Sequence, residues 1–551
     1  MRATPLLFAL LCAGAPAAHA QHTMPAADST AADSAVPLYD NLGDYSRRIT
    51  TLSPEAQAYF DQGVRLTYGF GHPDAVRAFR AALDHDSACA MCWWGIAWAR
   101  GPYINSEMDS ASAVEAYAAV QQAVRLRDNA NAAEQALIDA MAARYVASPE
   151  EERAALDSVY ARAMADVVRR YPHDLDAATL YGEALMVLRP WDLWTVTGEP
   201  KPGAEEVVAV LESVLARDLM HPGACHLYIH AVEASQQPER AEACAEHLGA
   251  RIPGASHVPH MPSHIFMRIG RYGDAVVGNR AAWHVDQQAA YGGPPGIYPS
   301  HNLHMMMTAA TFDGQSAIAL QAARDLARDY PWNAFYPAVM LVRFGRWREA
   351  LELPEPDTAM RLHEGMWRFA RGHGYLGTGS TARARVELAG LDYVLEATDE
   401  DDSFRGHRTR DLLGIARAIL AGELALQEGR NDEAVRLLEA ALPLEDSLTY
   451  DEPEPWPFPV RHVLGAALLE SGRATDAVRV YREALQDHPH NGWSLAGLAL
   501  ALRASADGER EAAAVEREFA ERWQRADVWL RGSRFAPRPP EPAEAARTHH
   551  E

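Results

Sequence analysis

Seven histidines fall within one short stretch of this chain: His226, His230, His257, His260, His264, His301 and His304. Imidazole nitrogens are preferred donors to zinc and copper, so histidines that converge on one surface point first to a metal centre. Their spacing is regular. His226 precedes His260 by 34 positions, and His230 precedes His264 by the same 34. That period belongs to helix-pair repeats, in which residues one repeat apart take equivalent places on neighbouring helices. The imidazoles are therefore expected to stack into columns.

Three segments carry them: HPGACHLYIHAVEAS (221–235), HVPHMPSHIFMRIG (257–270) and YPSHNLHMMMTAATF (298–312). Within each, the key side chains recur at i+3, i+4 or i+7 and share a helix face. If the YGGPPG stretch inserts three residues, His301 becomes the equivalent of His264. The central column is then His230, His264 and His301. One flanking column holds His226 and His260, and the other holds Glu233, Met267 and His304. His257 sits one turn earlier, at a helix start. Neighbouring repeat helices lie ~10 Å apart, near enough for imidazoles to meet around an ion at ~2.0 Å. Seven donors exceed the needs of one tetrahedral ion, so one ion or two are expected. The competing readings are a hydrogen-bonded histidine network and direct recognition of an organic ligand. Apolar residues would fill a plain repeat core at less cost, because each buried imidazole needs partners.

A nearly all-imidazole set suits copper or zinc, and copper is favoured because Met261, Met267 and Met305–Met307 lie nearby as soft donors. Calcium and magnesium want carboxylates, and only Glu233 stands in the array. His226-Leu-Tyr-Ile-His230 lacks the glutamate that follows the first histidine of a zinc-protease motif. The expected activity is that of a copper-dependent oxidase or oxygenase. Glu233 is the candidate catalytic residue: it orients a ligand or accepts a proton at copper, or serves as general base in a zinc hydrolase. The alternative is a non-catalytic scaffold that binds a peptide or protein, or sequesters metal. Trp191, Trp194 and Trp283 are expected to wall the site, and His284 to stand behind it.

The rest of the sequence bounds these readings. The chain has 551 residues, a formal net charge of −24 and a single lysine, Lys201. Such acidity argues against nucleic acid and anionic membrane as partners. Residues 1–20 read as a secretory signal ending Ala18-His19-Ala20, and no later segment is apolar enough to span a bilayer. A periplasmic or secreted protein is expected. Beyond Cys12, the cysteines are Cys89, Cys92, Cys225 and Cys244, an even set in an oxidising compartment. Cys225 and Cys244 could staple the two helices of one repeat. Cys89-x-x-Cys92 reads as a local disulfide or inert thiols, with metal binding and redox chemistry as alternatives.

The elements that must position the histidines are helices throughout, with short Gly, Pro or Asp breaks and no clear alternating strands. HVLGAALLESGRATDAVRVYREALQDHP (462–489) places Leu464, Gly465 and Ala467 on a first helix, Gly472-Arg473 in the turn, Ala477, Tyr481 and Ala484 on a second helix, and Pro489 at the end. This run resembles a tetratricopeptide repeat. Similar units surround Gly429, Gly345 and Gly270, and another begins at Gly69. The resemblance covers about 52–530 and implies an all-α, right-handed superhelical solenoid of helix pairs with a concave groove that takes a small molecule or peptide. The whole is similar to exported bacterial tetratricopeptide-repeat proteins with His-rich central repeats, a group that brings no activity with it.

The expected organisation is a signal peptide (1–20), a flexible leader (21–50), N-terminal repeats (51–220), the His-rich centre (221–330), C-terminal repeats (331–534) and a disordered tail (535–551). Two insertions, RPWDLWTVTGEPKPG (189–203) and YGGPPGIYPS (291–300), are expected to flank the site. No G-x-S-x-G elbow, P-loop or dinucleotide fingerprint is present.

Overall fold

The computed structural model describes residues 36–148, 153–357, 359–505 and 508–537. The signal segment and most of the tail lie outside the described residues.

Antiparallel helix pairs follow one another along the chain, as in Pro54–Tyr68 with His72–His85, Val460–Glu470 with Ala474–Asp487, and Gly492–Ala504 with Glu509–Arg522. Small residues let them close up. Tyr481 is fully buried between Gly465 and Gly497, where an added Cβ would come within 2.4 Å and 2.3 Å of its ring. The turns between paired helices share one device. Gly270, Gly345, Gly429 and Gly472 all take φ of 66–75°, a left-handed conformation that side chains with a Cβ resist. At Gly270 the constraint is double, since a Cβ there would meet the Pro489 carbonyl oxygen at 2.2 Å.

That last contact reports the shape of the solenoid. The C-terminal units fold back onto the central ones. Tyr272 donates to the Pro489 carbonyl (2.9 Å), the Trp493 indole donates to the Thr311 carbonyl (2.9 Å), and Arg525 forms a two-pronged pair with Asp313. The N-terminal end closes the other side. Arg47 bridges Asp174 and Asp176, and the Tyr45 and Tyr68 hydroxyls both donate to Asp176. The second half of the expected flexible leader is thus fixed by buried charge pairs and hydrogen bonds. Likewise Phe535, at the start of the expected tail, packs edge-on against Trp493.

Two disulfides form, Cys89–Cys92 and Cys225–Cys244, and the second joins helix Pro222–Val232 to helix Glu242–Leu248. One feature departs from the all-helical reading. Ser403–Phe404 pairs antiparallel with His407–Arg408, turning through Arg405 (φ 54°) and Gly406 (φ 82°). Positive φ at both central residues is the geometry of a tight two-residue hairpin. The segment is too short to show alternation in sequence. No helix of the described residues is long and apolar enough to cross a membrane.

Candidate metal centre

Three helices deliver the histidines to the middle of the molecule. Pro222–Val232 carries His226 and His230, with Glu233 as the next residue. The second is interrupted: His257–His260 gives way to Pro262–Arg268, which carries His264. Pro299–Phe312 carries His301 and His304. Because the solenoid closes on itself, these side chains are not on an open groove. His257 and His260 are 0% exposed, and His301, the most accessible of the seven, only 6%.

Six of the seven assemble into two adjoining triads. His226, His230 and His257 form one, and His260, His264 and His301 the other; in each, one donor atom per residue lies within 4.8 Å of the other two. Each triad takes an i, i+4 pair, within one helix for His226 and His230 and across the break for His260 and His264, and a third imidazole from the next segment. The expected central column is contiguous, with ring centroids 5.4 Å apart for both His230–His264 and His264–His301. His257 is the first residue of its helix, as expected, and as a member of the first triad it faces the second, 5.0 Å from His226 and 5.4 Å from His260.

The ring nitrogens divide into two sets. At four of the six, His226, His230, His260 and His264, Nδ1 faces outward, onto oxygen. His226 Nδ1 donates to the Tyr68 carbonyl (2.5 Å) and His230 Nδ1 to Glu233 Oε1 (3.1 Å). His260 Nδ1 donates to Asn279 Oδ1 (2.6 Å), and the Asn279 amide is itself fixed by donating to the Ala275 carbonyl (2.8 Å). His264 Nδ1 lies 2.5 Å from Glu233 Oε2. The Nε2 atoms face inward. Those of His226 and His230 are buried without a hydrogen-bond partner. Those of His260 and His264 lie 2.8 Å apart, and those of His264 and His301 3.4 Å. Three nitrogens each ~2.0 Å from one tetrahedral ion stand about 3.3 Å from one another, and the two separations at His264 lie on either side of that value. Outer hydrogen bonds that fix the tautomer and leave one nitrogen free are the usual support of a metal-bound imidazole.

The electrostatics differ along the cluster: burial would lower His264, but Glu233 and then Glu452 raise it, whereas His226 and His230 are lowered. Burial pushes His226 well below its ordinary value, with neighbouring His230 adding to the effect, and burial also lowers His230 against the pull of Glu233. Both are neutral imidazoles at neutral pH. Burial would raise Glu233, yet His264 and His230 hold it below the usual carboxylate range. Its oxygens face Nδ1 atoms of both triads. That placement makes Glu233 an orienting carboxylate shared by the two triads. It also forms a third close group with His230 and His264.

His304 departs from the expected ligand set. Arg405 donates to its Nδ1 (2.6 Å), so the lone pair there is taken and the proton resides on Nε2, the reverse of the arrangement at His226, His230 and His260. Its ring packs on Tyr336, apart from both triads. The expectation failed because it assumed the third helix presents both histidines to one place, whereas the hairpin at Arg405 meets the second. Met261, Met305 and Met307 are fully buried. His284 is exposed and bonded to Gln288, so the supporting residue from helix Tyr272–Ala289 is Asn279.

Several contributors escaped the sequence reading because they are remote in the chain. Phe70 packs on three histidines, 4.2 Å from His226, 5.7 Å from His230 and 5.5 Å from His257. Trp191, expected in the wall, meets His230 edge-on (5.2 Å), and Tyr298, beside the third histidine segment, meets His257 the same way (5.0 Å). Glu452 Oε2 reaches to 3.7 Å from His264 Nδ1 and accepts from Tyr450. Burial raises Glu452, with Glu233 nearby adding to the effect. One signal links these residues. The five non-glycine residues of positive φ among the described residues are Phe70, Trp191, Tyr298, Arg405 and His490, and the first four all touch a histidine of the cluster. Backbone strain of that kind costs of order 1–3 kcal/mol per residue and concentrates at functional sites.

The insertion 189–203 covers the site as expected. The Trp194 indole donates to the Ala231 carbonyl (2.7 Å), tying the insertion to the first histidine helix. Trp191, Leu193, Trp194 and Val196 line a cavity of about 230 Å³ that reaches His230, while Trp283 is not part of its wall.

No family model and no curated protein matches this chain. Among solved structures, it is similar to the Cut9 chain of the APC/C Cut9–Hcn1 hetero-tetramer (14% identity, 86% of this chain and 76% of the other, TM-score 0.29). It is also similar to the P58(IPK) TPR domain (12%, 82% and 98%, TM-score 0.21) and to yeast Tom70 (12%, 85% and 91%, TM-score 0.25). Superpositions this loose carry nothing about function, and the helix-pair architecture stands on the turns and packing described above.

Proposed function

We propose that the two triads bind two transition-metal ions, copper in preference to zinc, and that the protein is an exported metal-dependent oxidase or oxygenase. The observation that carries this reading is the division of ring nitrogens at four of the six histidines: Nδ1 atoms of His226, His230, His260 and His264 on oxygen, and their Nε2 atoms in a buried interior. A simple hydrogen-bonded network would pair its nitrogens with acceptors on both sides. His226, His230 and His257 would hold one ion, and His260, His264 and His301 the other. Copper held so would supply one-electron redox chemistry and oxygen activation.

The chain's own residues set up the rest. Glu233 fixes the tautomers of His230 and His264 at once, which couples the geometry of the two triads. Phe70, Trp191 and Tyr298 exclude water from the histidine faces, and the cavity beside His230 gives a small molecule a way in. A zinc hydrolase with Glu233 as general base is less well supported, since both of its oxygens are engaged and it does not line that cavity.

A non-catalytic role, metal storage or a staple between repeats, is favoured by one observation, the near-complete burial of all six imidazoles. Oxygen uptake by copper-reconstituted protein across a panel of small reductants separates the two. Uptake lost in His260→Ala supports the enzyme; tightly held copper with no uptake supports storage.

A further inference from the structure

We infer that the cavity beside His230 is a binding site for a single-ring aromatic molecule carrying an anionic substituent. This names the substrate class of the centre proposed above and rests on that reading for its catalytic meaning, though not for its binding.

Size comes first. The cavity is about 230 Å³. An apolar cavity of roughly 150 Å³ accepts benzene, and drug-sized ligands need about 300 Å³ or more, so one substituted ring fits and a fused or peptide-sized ligand does not. The wall chemistry comes next. Ile104, Met186, Leu193, Val196 and the indoles of Trp191 and Trp194 supply apolar and aromatic faces. Trp191 is held with its backbone at φ 57°, and its ring stands edge-on to His230. Trp194 cannot swing away, because its indole N–H is bonded to Ala231. Two indoles held rigid beside an open space favour a flat π-system in offset or edge-to-face contact.

Charge then selects the substituent. Three charged side chains line the cavity: Arg189, Asp192 and Lys201. Lys201 and Asp192 pair with each other and cancel. Arg189 is exposed and makes no ion pair or side-chain hydrogen bond to another described residue. An unmatched guanidinium at the rim offers two parallel donors to a carboxylate. The preference is notable in a chain of net charge −24, which repels anions elsewhere. The ring would lie against Trp191 with one edge toward His230.

The test is calorimetric titration of benzoate into full-length protein, with metal content measured separately on each sample. Cyclohexanecarboxylate (same charge, no π-face) and benzyl alcohol (same ring, no charge) serve as comparators. Benzoate is expected to bind at one site, at least tenfold tighter than either comparator. Trp191→Leu should weaken it about tenfold, and Arg189→Gln should remove its advantage over benzyl alcohol. Val196 is 78% exposed at the cavity mouth, so Val196→Trp should block binding with the fold intact. Equal binding of cyclohexanecarboxylate, undiminished binding in Val196→Trp, or no benzoate binding would overturn the inference. Benzoate binding to protein that takes up no metal would uphold this site while refuting the metal centre.

Discussion

The Nε2 atoms of His260 and His264 lie 2.8 Å apart in a region closed to solvent, both rings held from behind by other residues. Two imidazoles so placed cannot both present lone pairs to each other without cost; a proton on His264, favoured by Glu233 and Glu452, removes the conflict, and a metal ion bound between them and His301 would do the same. Metal should therefore act as a folding ligand. Addition of copper to chelator-treated protein is expected to raise the melting temperature by several degrees, since a ligand at a hundred times its Kd stabilises by about 2.7 kcal/mol. Differential scanning calorimetry at fixed protein concentration, with and without metal, measures this; an unchanged transition would contradict it.

Glu233 serves both triads through one carboxylate, so its removal should weaken both ions together. Glu233→Gln keeps the shape but can accept through only one of its two positions, and supporting residues of this kind are worth roughly 10–100-fold in metal affinity. Competition titration against a chelator of known affinity is expected to show both ions released more readily, by that factor, with helical content unchanged. Loss confined to one ion would show that Glu233 belongs to a single triad.

His301 and His304 share one helix and differ in their partners. His301→Ala should remove the ion held with His260 and His264, taking the metal content from two per chain toward one. His304→Ala should leave the content at two and cost stability alone, because Arg405 loses its acceptor. Equal effects of the two changes on metal content would refute the division drawn between them.

Closure of the N-terminal side rests on Asp176, which accepts from Tyr45 and Tyr68 and pairs with Arg47. Burial alone would raise its pKa, but Arg47, with His221 close by, holds it far below the usual range. A depressed folded-state value means stability that is present above the unfolded pKa of about 3.9 and is lost as pH falls below it. Urea midpoints measured between pH 6 and pH 3 should drop steeply toward the acid end in the native protein. Asp176→Asn should be less stable at pH 6, by about 3 kcal/mol, and should lose less on acidification. Parallel pH profiles for the two proteins would contradict this.

The sequence made the repeat turns and the histidine columns visible because both depend on local periodicity. Gly270 and Gly472 mark turns that need a left-handed residue, and the 34-residue spacing puts His230 beside His264. What it could not show depends on closure of the solenoid. Phe70, Glu452 and Arg405 come to the centre from units far away in the chain, and nothing in their local sequence records that approach. His257 stands at a helix start as the spacing suggested, but the break between His257–His260 and Pro262–Arg268 was not legible as such. The supporting role of Asn279 hid in the same way, on the second helix of the repeat, where His284 looked the better candidate by residue type alone.

The central claim is tested most directly by elemental analysis of the full-length protein purified without a histidine tag, beside the His260→Ala/His264→Ala variant. The account predicts about two copper ions per chain in the native protein and at most one in the variant, with the helical signal of both the same. Native protein that takes up no metal after reconstitution, or a variant that keeps the full complement, would contradict it.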